Sequence, residues 1–152
     1  MNIEKIVREY IEKTFHMSLA TVQNNKPWVC ELHFAYDKNL NLYYRSLKSR
    51  RHSKEIADNS KVAGSIIDKY SLNDPVVGVY FEGTARLLET GKEQDLAAKC
   101  LKNRLKIEND ILAEAKNEDG HQFYKINISN WYIYGSFNGN KGKKYQLKWN
   151  SL

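Results

Sequence analysis

The stretch HMSLATVQNNKPWVCELHFAYDKNLNLYYRS, residues 16–46, decides the fold class. From His16 onward apolar and polar residues alternate with a period of two, the spacing of a strand with one buried face. His16–Val22 reads as one strand, Gln23-Asn24-Asn25-Lys26 as a hairpin turn, and Pro27–Tyr36 as a second strand. In that second strand Trp28, Cys30, Leu32, Phe34 and Tyr36 face one way, and Val29, Glu31, His33 and Ala35 the other. Asp37-Lys38-Asn39 then turns the chain into a third strand, Leu40–Ser46. Turns this short join antiparallel neighbours, because a parallel crossover needs about a dozen residues or more. The three strands are therefore expected to form a meander.

Outward from this stretch the pattern alternates between helix and strand. On the N-terminal side Ile3, Ile6, Val7, Tyr10 and Ile11 share one helical face. On the C-terminal side the period breaks at Leu47–Arg51, and Ser49 or Ser53 can cap a short helix ending near Asn59. Strands are expected at Lys61–Ile67 and Val76–Leu88, separated by the polar stretch Asp68–Asp74 and Pro75. Lys92 to about Ala115 reads as helix, with Leu96, Ala97, Cys100, Leu101 and Leu105 as its buried stripe and a separate short helix around Ile111 and Leu112. Three final strands are expected at His121–Ile128, Trp131–Phe137 and Tyr145–Trp149, the last two joined by Asn138-Gly139-Asn140-Lys141-Gly142. The pattern predicts a mainly β (α+β) protein, an antiparallel, closed or partly closed barrel with peripheral helices.

At 152 residues the chain has the length of one ordinary domain, and a single domain over 1–152 is expected. Its 41% hydrophobic and 28% charged residues are a globular composition. No apolar run approaches the ~20 residues of a membrane helix. The opening MNIEKIVREY is too charged for a signal peptide. Cys30 and Cys100 lack metal-type spacing and read as reduced structural thiols, consistent with a cytoplasmic location. There is no Ser/His/Asp set, no HExxH and no zinc spacing to support a hydrolase or a metalloenzyme.

The net charge of +6 is unevenly placed. Arg45, Lys48, Arg50, Arg51 and Lys54 fall within RSLKSRRHSK, residues 45–54, which contains no acid. A second acid-free region, from Gly120 onward, carries Lys125, Lys141, Lys143, Lys144 and Lys148. These two regions hold ten positive charges, so the rest of the chain is net negative, which points to discrete anion sites. In RSLKSRRHSK a strand end, a polar loop and a helix N-terminus meet, and free N–H groups at a helix start attract an anion. Arg50 and Arg51 offer planar forks to phosphate oxygens and Lys48 a mobile charge, while Ser46, Ser49, Ser53 and His52 bring further donors. From the segment alone, a solvated basic loop is an equally good reading.

The order of elements resembles the pyridoxamine-phosphate-oxidase-like superfamily of FMN-binding split β-barrels. The resemblance rests on the hairpin MSLATVQNNKPWVCELHFAYD, the strand LNLYYRS, the basic loop and helix, the long strand VYFEGTARLLE and the ending GNKGKKYQLKW. Within that superfamily the chain is most similar to small, uncharacterised bacterial proteins. The resemblance implies a homodimer with FMN at the subunit interface. It places Ser46 at a flavin contact that ends the third strand. Arg51 and His52 fall on the family's phosphate-gripping basic pair, where His52 departs from the usual Lys and Arg50 from the usual Ser. It adds Leu47 and Lys48 to the same binding loop, and Cys30, Glu31, Leu32 and His33 to the strand lining the flavin ring. Cys30 stands where pyridoxamine phosphate oxidases have an Arg, and the ending KGKKYQLKWNSL lacks their substrate motif, so that particular oxidation is not expected. Gly83 and Ala85 match small residues of the long strand, a mark of close packing.

The expected function is an FMN-dependent oxidoreductase acting on an unidentified small molecule, in which the flavin carries the redox chemistry. The alternative is a flavin-binding or other ligand-binding module without turnover, and haem and deazaflavin are ligands of related proteins. The pI of about 9.2 and the aromatics among lysines near the C-terminus raise a weaker third reading, a nucleic-acid-binding barrel. Glu31 and His33 share a strand face and read either as a proton-handling pair or, preferably, as polar lining of a cleft. His16 and His121 read as strand-end or surface residues. Trp131, Tyr132, Tyr134 and Trp149 are candidates for core, dimer interface or, in one case, ligand contact.

Overall fold

A computed structural model describes residues 1–137, 139 and 141–149. The chain begins with helix α1, Ile3–Ile11, whose first turn is capped by the Asn2 side chain accepting from Lys5 N. Val7 and Ile11 of its apolar face are fully buried. Strands β1 (His16–Gln23) and β2 (Lys26–His33) form the expected hairpin. Its two central residues, Asn24 and Asn25, have φ of 52° and 60°, the left-handed pair that a tight two-residue hairpin turn requires.

The second expected strand does not run straight to Tyr36. β2 ends at His33, Phe34 donates its N–H to the Phe15 carbonyl at 2.9 Å, and a new two-residue strand, β3 (Ala35–Tyr36), begins. β3 pairs with β4, Leu42–Ser46, so the expected three-strand meander is broken at Phe34. Next come helix α2 (Arg51–Asp58), strands β5 (Lys61–Ile66) and β6 (Gly78–Leu87), and helices α3 (Lys92–Leu105) and α4 (Ile111–Ala115). β7 (Gln122–Gly135) and β8 (Lys143–Lys148) complete the described elements. Of the expected connection Asn138–Gly142, Asn138 and Asn140 lie outside the described residues, as do Asn150, Ser151 and Leu152.

All pairings are antiparallel, in the order β2-β1-β5-β6-β7-β4-β3. β8 pairs with the second half of β7, along the same edge that β4 occupies in the first half. The two ends of this order, β2 and β3, are joined covalently through Phe34, so the sheet curls into a half-barrel. This is the split barrel expected from the sequence. β7 is one strand where two were expected. The expected break at Ser129-Asn130 is a bulge within it: Glu82 faces Asn130 while Gly83 faces Ile128, which leaves Ser129 as an extra residue. A Cβ on Gly83 would lie 2.1 Å from the Asn127 carbonyl oxygen, so the closeness of backbones here requires glycine.

Two apolar clusters hold the layers together. The larger fills the half-barrel with residues such as Met17, Leu19, Leu42, Tyr44, Phe81, Ile126 and Trp131, and α1 packs onto it. The smaller seats α3 and α4 outside the sheet through Ala97, Ala98, Leu101 and Ile111 against Ala35, Tyr43 and Phe123. Period two along β4 explains the division, since Leu42 and Tyr44 enter one cluster and Tyr43 the other. The expected stripe of α3 is off by one side: Leu96 is exposed, and Gln94 and Ala98 are buried beside Ala97 and Leu101.

Candidate functional site

The chain leaves the sheet at Ser46, turns over four residues and enters α2. The Leu47 carbonyl closes this turn by accepting from Arg50 N at 3.2 Å and from Ser53 Oγ at 2.8 Å. Neither Ser49 nor Ser53 caps α2 as expected. The N-cap is Arg50, with extended backbone (φ −68°, ψ 148°) and no side-chain cap, because a guanidinium has no acceptor to offer. The first-turn N–H groups, which no helix carbonyl reaches, have no side-chain cap among the described residues.

A cavity of about 490 Å³ opens at this helix start. Of the ten residues expected from the sequence, Cys30, Glu31, Leu32, Ser46, Leu47, Arg50, Arg51 and His52 line it. His33 lies instead in an adjoining cavity of about 800 Å³ that shares Glu31, Leu32, Arg45 and His121 with the first. Lys48 lines neither cavity and pairs with Glu118 at 3.2 Å.

His52 is buried, and its Nε2 lies 2.7 Å from Ser46 Oγ. Burial, reinforced by Arg50, holds its pKa below the ordinary 6.5. The ring thus orders Ser46 as part of the cavity wall. Arg51 is half-exposed, with its Nε donating to Glu55 Oε1 at 2.8 Å and its Cζ 4.2 Å from the centre of the Trp28 ring. Glu55, buried behind it, also accepts from Thr21 Oγ1 at 2.6 Å; these two bonds hold its carboxyl below the usual carboxylate range. The Cys30 thiol is pushed up to about 11 by burial, then by Glu31 and Glu55, so it stays protonated at neutral pH.

Glu31 and His33 do not pair. Across the β1–β2 ladder Glu31 faces Ser18, which donates to it, and His16 Nδ1 lies 3.2 Å from its other oxygen. Cross-strand neighbours thus outcompete a residue two positions along the same strand. His121 is not a bare surface residue: its Nδ1 lies 2.8 Å from Glu114 Oε1, and it lines both cavities. Glu114 also takes Arg45 NH1 at 2.8 Å, and these contacts, His121 foremost, lower its pKa. Trp131, Tyr132, Tyr134 and Trp149 line neither cavity. Trp131 is core, Tyr132 donates to Glu82 at 2.7 Å, and Trp149 Nε1 donates to the Asn39 carbonyl at 2.8 Å.

Trp28 and His121 are lining residues that the sequence reading did not place at the site, and Arg45, of the basic stretch, lines it too; Glu114 holds Arg45 and His121, and Glu55 holds Arg51. Trp28 shares its strand face with Cys30 and Leu32, and Glu55 lies one helical turn from Arg51. Both signals are present in the sequence.

The family model described as pyridoxamine 5'-phosphate oxidase matches residues 3–135. The chain belongs to that family. A UPF0306 protein of Pasteurella multocida is 32% identical over 94 residues, a stretch covering 60% of this chain and 63% of the relative, so less than two thirds of that protein is matched. Among solved structures, a heme binding protein from Mycobacterium smegmatis superposes with a TM-score of 0.75 at 15% identity, over 97% of this chain and 58% of its own. General Stress Protein 26 from Bacillus anthracis gives 0.67 at 19% identity over 97% and 100% of the two chains, and an FAD-binding protein from Mesorhizobium loti 0.65 at 19% over 88% and 94%. At these identities the structural likeness is one of fold. Among the described residues no group of three or more His, Cys, Asp or Glu is placed to hold a metal ion, and no helix is long and apolar enough to cross a membrane.

Proposed function

We propose that the cavity at the start of α2 binds FMN by its phosphate, and that the protein is an FMN-dependent oxidoreductase of small molecules, working as a homodimer in the cytoplasm. The observation that carries this reading is the uncapped start of α2 opening into a cavity with Arg50 and Arg51 at its wall. Unsatisfied N–H groups, the positive end of the helix and guanidinium donors together suit a phosphate monoester. The cavity continues from this anion-suited end along Cys30, Glu31 and Leu32 of β2, where a flat ring system can lie. The donor set therefore fits the group. When bound, FMN would supply the electron transfer; binding it, orienting it and shaping the cleft fall to this chain. Arg50, Arg51 and the first N–H groups of α2 would hold the phosphate, with Ser46, ordered by His52, beside them.

Two free, half-buried cysteines suit a reducing compartment. The solved haem- and FAD-binding proteins of the same fold supply the second reading, a ligand-binding module without turnover. The visible spectrum of the purified protein discriminates among these readings: a flavin spectrum, with FMN released on denaturation, supports the first, and a Soret band the haem alternative. Arg51→Ala is expected to weaken FMN binding at least about ten-fold in a fluorescence-quenching titration, since a hydrogen bond to a charged group contributes roughly 1.5–3 kcal/mol. Unchanged affinity in that variant rejects the phosphate assignment. Oxidation of NADH or NADPH with an artificial acceptor then separates turnover from binding alone.

A further inference from the structure

A buried carboxylate behind a phosphate site needs an explanation, because its charge opposes the ligand. Glu55 does not line this cavity; with Arg51 it borders a neighbouring one of about 450 Å³ beside the β1–β2 turn. Both of its oxygens are engaged, Oε1 by Arg51 Nε at 2.8 Å and Oε2 by Thr21 Oγ1 at 2.6 Å from strand β1. Glu55 is nearly inaccessible while the Arg51 side chain is 46% exposed, so the carboxylate is the fixed partner and the guanidinium the one being held. Trp28 of β2 covers one face of that guanidinium, 4.2 Å from its carbon. With the Nε edge bonded and one face covered, the Nη edge remains, and neither Nη atom has an acceptor among the described residues.

We infer that Glu55, anchored by Thr21, is a positioning residue that sets Arg51 for a phosphate ester and so gives the site its preference for a phosphorylated flavin over the unphosphorylated one. The inference rests on the FMN reading above. A free arginine must be ordered when it binds; here two elements of the sheet and one turn of helix order it beforehand, which removes that part of the cost of binding. A planar fork held this way suits two oxygens of one phosphate. The negative charge of Glu55 is matched by Arg51 itself and lies behind it, so its positioning effect outweighs its repulsion of the ligand.

The test compares FMN with riboflavin, which shares the ring system and lacks the phosphate. Glu55→Ala is expected to weaken FMN at least about ten-fold and to leave riboflavin within about two-fold. Glu55→Gln, whose amide oxygen still accepts from Arg51 Nε, is expected to recover most of the FMN affinity. Thr21→Val, which keeps the volume and removes the anchoring hydroxyl, is expected to weaken FMN selectively by about three-fold, and it carries the test if Glu55→Ala does not fold. Equal loss of both flavins would make Glu55 a general structural residue and overturn the inference. Tighter FMN binding by both Glu55 variants would show that charge repulsion dominates, and would overturn it too. Wild-type protein that binds no FMN sinks the FMN reading and this inference together; wild-type FMN binding with indifferent variants sinks this inference alone.

Discussion

His52 is enclosed by Tyr44, Ser46 and the start of α2, and its pKa is held below 6.5 chiefly by that burial. As pH falls, the unfolded chain takes up this proton before the folded one does. The contribution of His52 is therefore complete above about pH 6.5 and is lost as pH drops toward the lower folded value, after which it levels off. His52→Gln, whose amide can keep the bond to Ser46, is expected to flatten the stability profile below about pH 6.5, read as the urea midpoint at each pH. An unchanged slope would assign that window to other groups. The core of this site was legible because Arg50, Arg51 and His52 are adjacent, and a helix start gathers adjacent residues into one place. His121 was not, because it becomes a cavity residue through Glu114, which also holds Arg45 from 69 positions away. Nothing local to His121 marks that meeting.

Among the elements, β6 and β7 show how one position fixes a register. Gly83 faces the bulge at Ser129, where the two backbones approach too closely for any side chain. Gly83→Ala should cost about 2 kcal/mol or more in urea unfolding, because the obstruction is a carbonyl in a paired strand and not a side chain that can rotate away. Thr84→Ala, at the exposed neighbour, should stay within about 0.5 kcal/mol. Comparable losses in the two variants would mean that the bulge is pliable. Period two revealed the strands themselves, and the close packing at Gly83 and Ala85 was anticipated. The bulge was not, since Ser129-Asn130 reads as a turn and only the pairing of Ile128 with Gly83 and of Asn130 with Glu82 keeps it in one strand. The cap of α2 went unread because the helix starts at Arg51, which puts Ser53 inside the first turn, where its hydroxyl donates back to the Leu47 carbonyl.

At the scale of the molecule, the curl of the sheet leaves β2 as the terminal strand of its order, with one hydrogen-bonding edge unpaired among the described residues. The strand is exposed along most of its length, including Trp28 at 41% and Val29 at 57%. It is also a wall of the candidate cavity. An exposed edge strand of this kind, carrying Trp28 and Val29, invites association unless a partner covers it. On the homodimer reading, the protein sediments at twice its 17.7 kDa chain mass. Val29→Lys places a charge on the face opposite Trp28 and outside the cavity, so the anion-binding groups are untouched. It should shift sedimentation toward the monomer and weaken FMN about ten-fold or more, equivalent to about 1.4 kcal/mol of binding energy. Both effects should appear together, because the same strand serves the interface and the ring. A monomeric Val29→Lys variant with undiminished FMN affinity would place the whole flavin site within one chain, and a wild-type monomer would remove the partner from the site altogether.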